Sequence, residues 1–186
     1  MSRLEKLVSN YQRLVSLPWQ PNLHGTQKVW FAVYDKTEER RIRSRVGGFE
    51  LATTESGHSW VLVDLTDAFP TWMAQKEYRD DYFLSPLDLE TAMADFLEQT
   101  ASTLRSALTS EQATEGTVVA VLGVGSLFGF IKVSDLLQKV YSDIRGRLLV
   151  FFPGEYDDNT YRLLDARDGW NYRAVPITHH EGVLEP

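Results

Sequence analysis

Four runs of almost unbroken β-branched, aliphatic and aromatic residues constrain this chain more than any other feature. They are VWFAVY at Val29 to Tyr34, WVLV at Trp60 to Val63, TVVAVL at Thr117 to Leu122, and LLVFF at Leu148 to Phe152. None alternates polar with apolar residues. Val29 to Tyr34 reads as a buried strand and Thr117 to Leu122 as one covered on both faces, the condition of the interior of a parallel sheet. Segments of helical spacing separate the runs: Thr37 to Thr54, Asp67 to Gln75, Ser85 to about Leu108, and Val133 to Tyr141. Tyr172 to Ile177 reads as a fifth strand, at an edge because Pro176 has no N–H for a ladder. The alternation implies an α/β fold: a mostly parallel five-stranded sheet with helices on both faces, Rossmann-like, in one domain over 1–186.

Local signals agree with this reading. Ser2 and Glu5 have capping-box spacing, and Leu4, Leu7, Val8, Tyr11, Leu14 and Val15 continue as a helical stripe. Ser85 followed by Pro86 predicts an N-cap and a first helical residue, with Asp88 and Glu90 near the positive dipole end. Gly47-Gly48 interrupts the second helix and can end it early. Thr109 to Gly116 reads as a polar loop, and Pro153 to Tyr156 as a turn.

The formal net charge of −7 argues against a protein that grips duplex DNA through phosphates, so no tight direct DNA binding is expected. Arg40, Arg41, Arg43 and Arg45 form a basic cluster, but Glu38, Glu39 and Glu50 accompany them. A solvated mixed-charge helix face and a docking site for an acidic partner are the two readings. The chain has no cysteine, which excludes disulfides, thiolate metal sites and a cysteine nucleophile. The N-terminus lacks an apolar leader, and Thr117 to Ile131 is too short to span a bilayer. A cytoplasmic protein without membrane attachment is expected.

In a parallel sheet the strand C-termini share one edge, where ligands usually bind. Asp35, Asp64, Gly123 and Pro153-Gly154-Glu155 belong to that edge. Gly123, Gly125 and Gly129 spell GxGxxxG in a strand–turn–helix context, so a nucleotide held at Gly123, Gly125 and Ser126 is the alternative functional reading. The competing reading is a tight turn, because Leu127, Phe128 and Phe130 crowd it. There is no GxxxxGK[ST] loop and no G-x-S-x-G elbow. His24, His58, His179 and His180 show no metal-ligand spacing, and His179-His180-Glu181 reads as solvated. Asp80-Asp81 and Asp157-Asp158 are carboxylate pairs in loops that nothing selects as catalytic. No catalytic residue, metal or cofactor is expected. The strongest binding signal is aromatic. Phe152, Glu155, Tyr156 and Asp157, with Trp170, Tyr172 and Arg173, combine the residue types that dominate protein-binding hot spots. The structural alternative has Tyr172 and Arg173 anchoring the last strand, with Arg173 paired to Glu155.

These same stretches carry a resemblance. VVAVLGVGSLFGFIK, then LVFFPGEYD, then NYRA resembles the C-terminal half of the BrxB family of bacterial BREX phage-defence systems. WFAVYD at Trp30 to Asp35, followed by Glu38-Glu39, and VDL at Val63 to Leu65 resemble the first half more loosely. Lys36 departs from a common proline, Asp158 from a common glycine, and the single Tyr172 from a frequent tyrosine pair. The resemblance implies a small non-catalytic adaptor in a complex with a PglZ-type phosphatase-like protein, a large ATPase and an adenine methyltransferase. The PglZ-type protein is the first expected partner and the ATPase the second. The resemblance supplies no catalytic residues.

Overall fold

The computed structural model describes residues 1–166 and 169–180. Helix α1, Arg3–Val15, begins at the expected capping box: Glu5 N–H donates to Ser2 Oγ at 3.2 Å, and Ser2 N–H to the Glu5 carboxylate at 2.7 Å. Strand β1, Val29–Tyr34, is buried throughout. Helix α2, Glu39–Glu55, continues through Gly47-Gly48. A Cβ on Gly48 would lie 3.5 Å from a Val8 methyl, an ordinary van der Waals contact, so α1 and α2 leave room for a methyl there. Strand β2, Ser59–Asp64, leads to two short helices, α3 at Ala68–Ala74 and α4 at Arg79–Leu84. A 3-10 segment at Pro86–Ala92 precedes α5, Met93–Leu108. Then come β3, Thr117–Leu122; α6, Val133–Val140; β4, Arg147–Asp157; β5, Thr160–Leu163; and β6, Val175–Ile177.

The strand order is β2-β3-β4-β1-β6, with every neighbour in that row parallel. The mostly parallel sheet is as expected, and the last strand does lie at an edge. The count is six rather than five. β4 is long enough for its second half, Gly154 to Asp157, to leave the row and pair antiparallel with β5. Asp158 (φ 47°) and Asn159 (φ 61°) close that hairpin in the left-handed region, the geometry two-residue hairpin turns require. Two other boundaries differ. Ser85 makes no side-chain cap, and the α-helix starts only at Met93, after the 3-10 segment. The fifth expected strand shrinks to Val175–Ile177. Arg173 (φ 52°) turns the chain out of extended geometry, and the Tyr161 hydroxyl donates to the Ala174 carbonyl at 2.8 Å.

Alternate strand residues face opposite layers. Trp30, Ala32, Val118, Leu149 and Phe151 pack against Leu7 and Tyr11 of α1 and Phe49 of α2. Phe31, Val33, Val119, Val121 and Phe152 pack under α3, α5 and α6, with Phe96 at the centre. β1 therefore sends its chain to one face, through α2, while β4 sends its hairpin to the other, where Tyr161 and Tyr172 are buried. These neighbouring strands form the switch point at which such sheets open a crevice.

Candidate functional site

At the shared strand edge, the acidic residues already have partners. Asp35 accepts from the Thr37 N–H at 2.8 Å and from its hydroxyl at 2.6 Å. Asp64 accepts from the Thr66 N–H at 2.9 Å and from Arg43 at 3.4 Å; Arg43 also donates to Glu39 at 2.9 Å and to the Thr66 hydroxyl at 2.7 Å. Burial works against ionisation of Asp64, but the Thr66 hydrogen bonds and the Arg43 guanidinium outweigh it and hold its carboxyl below the usual range. Both aspartates end their strands in side-chain-braced turns. In the basic cluster, Arg41, Arg43 and Arg45 pair with Glu38, Glu39 and Glu5 respectively, a mixed-charge face.

The glycine turn is filled by its own chain. Gly123 has φ 86°, and a Cβ there would sit 2.5 Å from the Thr66 nitrogen. A Cβ on Gly125 would be 3.2 Å from Pro153 and 3.7 Å from Leu164. The Ser126 N–H donates to the Gly123 carbonyl at 3.0 Å, and Val124 and Leu127 are buried. The following α-helix begins only at Val133. Gly123, Gly125 and Ser126 thus lack the helix N-terminus that a phosphate site of this kind uses.

The aromatic residues singled out in the sequence divide among three places. Phe152 and Tyr172 belong to the core; burial pushes the Tyr172 phenol up to about 12. Phe152 lies wholly beneath the surface, a correction to reading it as a contact residue, while Tyr172 still lines an apolar hollow. Tyr156 and Arg173 line a hollow of about 690 Å³ beside β6, together with Asn10 and Arg13 of α1 and Asn159 and Asn171. Tyr156 donates to Asn159 at 3.0 Å and leans on Tyr161, ring centroids 4.6 Å apart. Arg173 is oriented by its N–H bond to the Asn171 side chain at 2.9 Å. Glu155 lies opposite Arg162 across the hairpin rather than against Arg173, and Asp157 opposite Thr160. Glu155 lines a smaller cavity, about 170 Å³, at the β1–β4 switch with Arg3, Tyr34 and Asp35. Trp170 is bridged to Tyr161 by two backbone bonds of 2.8 and 2.9 Å, and Lys132 lies 5.5 Å over its ring. It faces a separate apolar hollow of about 890 Å³, with Met93, Leu97 and Phe128.

The outer edge of β6 is closed to another strand. Pro176 has no N–H, the Ala174 carbonyl takes the Tyr161 hydroxyl, and the Thr178 carbonyl takes Asn10 at 2.7 Å. The hollow beside it therefore offers side chains rather than a backbone ladder.

Comparison with protein families matches the chain to the family described as BREX protein BrxB, over residues 71–177. The chain belongs to the BrxB family. Membership makes it a component of a BREX defence system. Comparisons with curated proteins and with solved structures find no match. The match runs from within α3 through β6, so it takes in the glycine turn, the hairpin and the hollow at Trp170, but only part of the hollow at Tyr156 and Arg173, whose Asn10 and Arg13 lie outside it; α1, β1, α2 and β2 precede it.

Four of the five most exposed large apolar residues of this BrxB-family chain lie outside every site singled out in the sequence. Tyr78 immediately precedes α4, Phe83 and Leu84 stand on it and Leu87 on the 3-10 segment, and no residue from Ala74 to Asp95 is buried. A run of large apolar residues off the stripe of the following helix was the available signal. Among the described residues there is no cluster of three or more histidines or acids able to hold a metal, and no helix is long and apolar enough to cross a membrane. His58 stacks on Trp19 at 3.7 Å, and His179 lies against His180 at 3.9 Å; Glu181 is outside the described residues.

Proposed function

We propose that this BrxB-family chain is a non-catalytic cytoplasmic adaptor that docks another BREX protein through the hollow at Tyr156 and Arg173. The PglZ-type phosphatase-like protein is the first candidate and the BREX ATPase the second. One observation carries the reading: an aromatic and an arginine from separate segments meet in an open hollow, beside a sheet edge whose backbone is already closed. Tyrosine and arginine in such a setting are the residue types that anchor interfaces. With a net charge of −7 the isolated chain is not a duplex DNA binder.

The test is copurification with the PglZ-type protein. Tyr156→Ala combined with Arg173→Asn, asparagine being tolerant of the positive φ at that position, should weaken capture by roughly thirtyfold, the scale of one hot spot. Circular dichroism of the variant should remain native. Undiminished capture by a folded variant removes this surface from consideration.

A further inference from the structure

The segment between α3 and α5 has a composition its own fold does not use. Leu84 is 86% exposed, Leu87 79%, Phe83 69% and Tyr78 63%. Its attachment to the body is at its base. Lys76 pairs with Asp95, which also accepts from the Trp72 indole at 2.8 Å, and Arg79 donates to the Ala74 carbonyl at 3.3 Å. Tyr82 and Leu89 pack partly against the core, so the arm is held in place while its apolar outer side stays in water. Clustered exposure of this kind marks an interaction surface; scattered single residues do not.

The charge around the patch selects the partner. Glu77, Asp80, Asp81, Asp88 and Glu90 surround it, against Lys76 and Arg79. Lys76 is engaged by Asp95 and Arg79 by Asp80 at 3.6 Å, so the rim is acidic. Two copies of such an arm would repel each other, in a chain already at −7. We infer that the arm from Lys76 to Ala92 is a docking surface for a protein presenting an apolar groove bordered by lysine and arginine.

The arm follows β2, at one edge of the sheet, and the Tyr156–Arg173 hollow adjoins β6, at the other. Four strand spacings put those edges about 19 Å apart, so the arm and the hollow share no strand. That the two surfaces hold different partners rests on the adaptor reading above; the arm as a docking surface does not.

The experiment uses the tagged full chain produced with the other proteins of its BREX system, captured at low salt, washed with rising sodium chloride, and read by mass spectrometry. Leu84→Asp with Leu87→Asp should cut recovery of one BREX protein by at least about tenfold, a protein that the Tyr156→Ala, Arg173→Asn variant retains. Asp80→Lys with Asp81→Lys should release the same protein at lower salt. Melting temperatures of both arm variants should stay within about 2 °C of the parent. Unchanged recovery from the leucine variant overturns the proposal, as does failure of the parent chain to capture any BREX protein. A fall in melting temperature beyond about 4 °C overturns it too, because the leucines would then be packing within the fold. A parent dimer abolished by the leucine variant, seen by light scattering, assigns the arm to a second copy instead. Loss of the same protein from both the arm and hollow variants overturns the two-surface arrangement. Full recovery from the hollow variant alone sinks the hollow and leaves the arm standing.

Discussion

Phe151, Phe152 and Tyr161 are fully buried where the β4–β5 hairpin leaves the sheet, whereas Tyr78, Phe83, Leu84 and Leu87 stand mostly in water beyond β2. The side chains are of the same kinds, so hydrophobicity does not separate the two regions. Position in the layers does. β4 lies between β3 and β1, with α1 and α2 on one face and α5 and α6 on the other. The arm leaves α3 and returns through the 3-10 segment to α5, and none of its residues is buried by the rest of the chain. An apolar side chain is buried when two elements close over it; otherwise it remains available to another molecule.

The sharpest way to break this contrast is to truncate one residue in each region. Phe152→Ala should cost about 3–5 kcal/mol in urea unfolding, because its ring packs with Phe31 at 5.0 Å and with Tyr161 at 5.8 Å. Gly123→Ala should cost about 1–3 kcal/mol, through the positive φ and the contact with Thr66. Its unfolding curve compared with that of Gly125→Ala tests the packing account of the glycine turn, since Gly125 has the roomier site. Gly47, exposed in α2 with nothing within 4 Å of a Cβ, should gain roughly 0.5–1 kcal/mol on replacement by alanine. At the small end, Leu84→Ser should change stability by no more than about 0.5 kcal/mol, and a larger loss would erase the distinction between the regions.

His58 offers an intermediate case with a pH signature. Burial against Trp19 and then the nearby Arg147 hold its imidazole below the ordinary value, despite a hydrogen bond to the Gly116 backbone. The folded state favours the neutral ring. Its contribution is therefore complete above the unfolded value of about 6.5 and is lost as pH falls through the lower folded value. Between pH 7.5 and 5, stability should decline, and His58→Phe, which keeps the stack, should flatten that slope. Equal slopes in parent and variant would show that the decline comes from elsewhere, such as His179, whose imidazole is also held below the ordinary value by burial.

Strands covered on both faces were the most legible part of the chain. Val29–Tyr34 and Thr117–Leu122 have the same bounds in sequence and structure, because an unbroken apolar run is a local signal of a local fact. The Ser2–Glu5 capping box was legible for the same reason. The hairpin was not, since Asp158 and Asn159 reach a glycine-like conformation without glycine. Nor was the 3-10 segment after Ser85, where serine, proline and acids meet every local rule for an α-helix start.

The candidate site divides in the same way. Tyr156 and Arg173 could be singled out by residue type, but their meeting with Asn10 and Arg13 depends on α1 lying beside β6, at the opposite end of the chain. The glycine spacing did not say what occupies the turn, because the atoms that do so belong to Thr66 and Pro153. Phe152 and Trp170 read alike as aromatic anchors, and the layers buried one and exposed the other. By itself the sequence determined the α/β alternation, the parallel core and the strands within it, since backbone hydrogen bonding and apolar periodicity act between near neighbours. The tertiary structure decided which aromatics meet solvent and which edge stays open. Burial depends on what the rest of the chain places overhead.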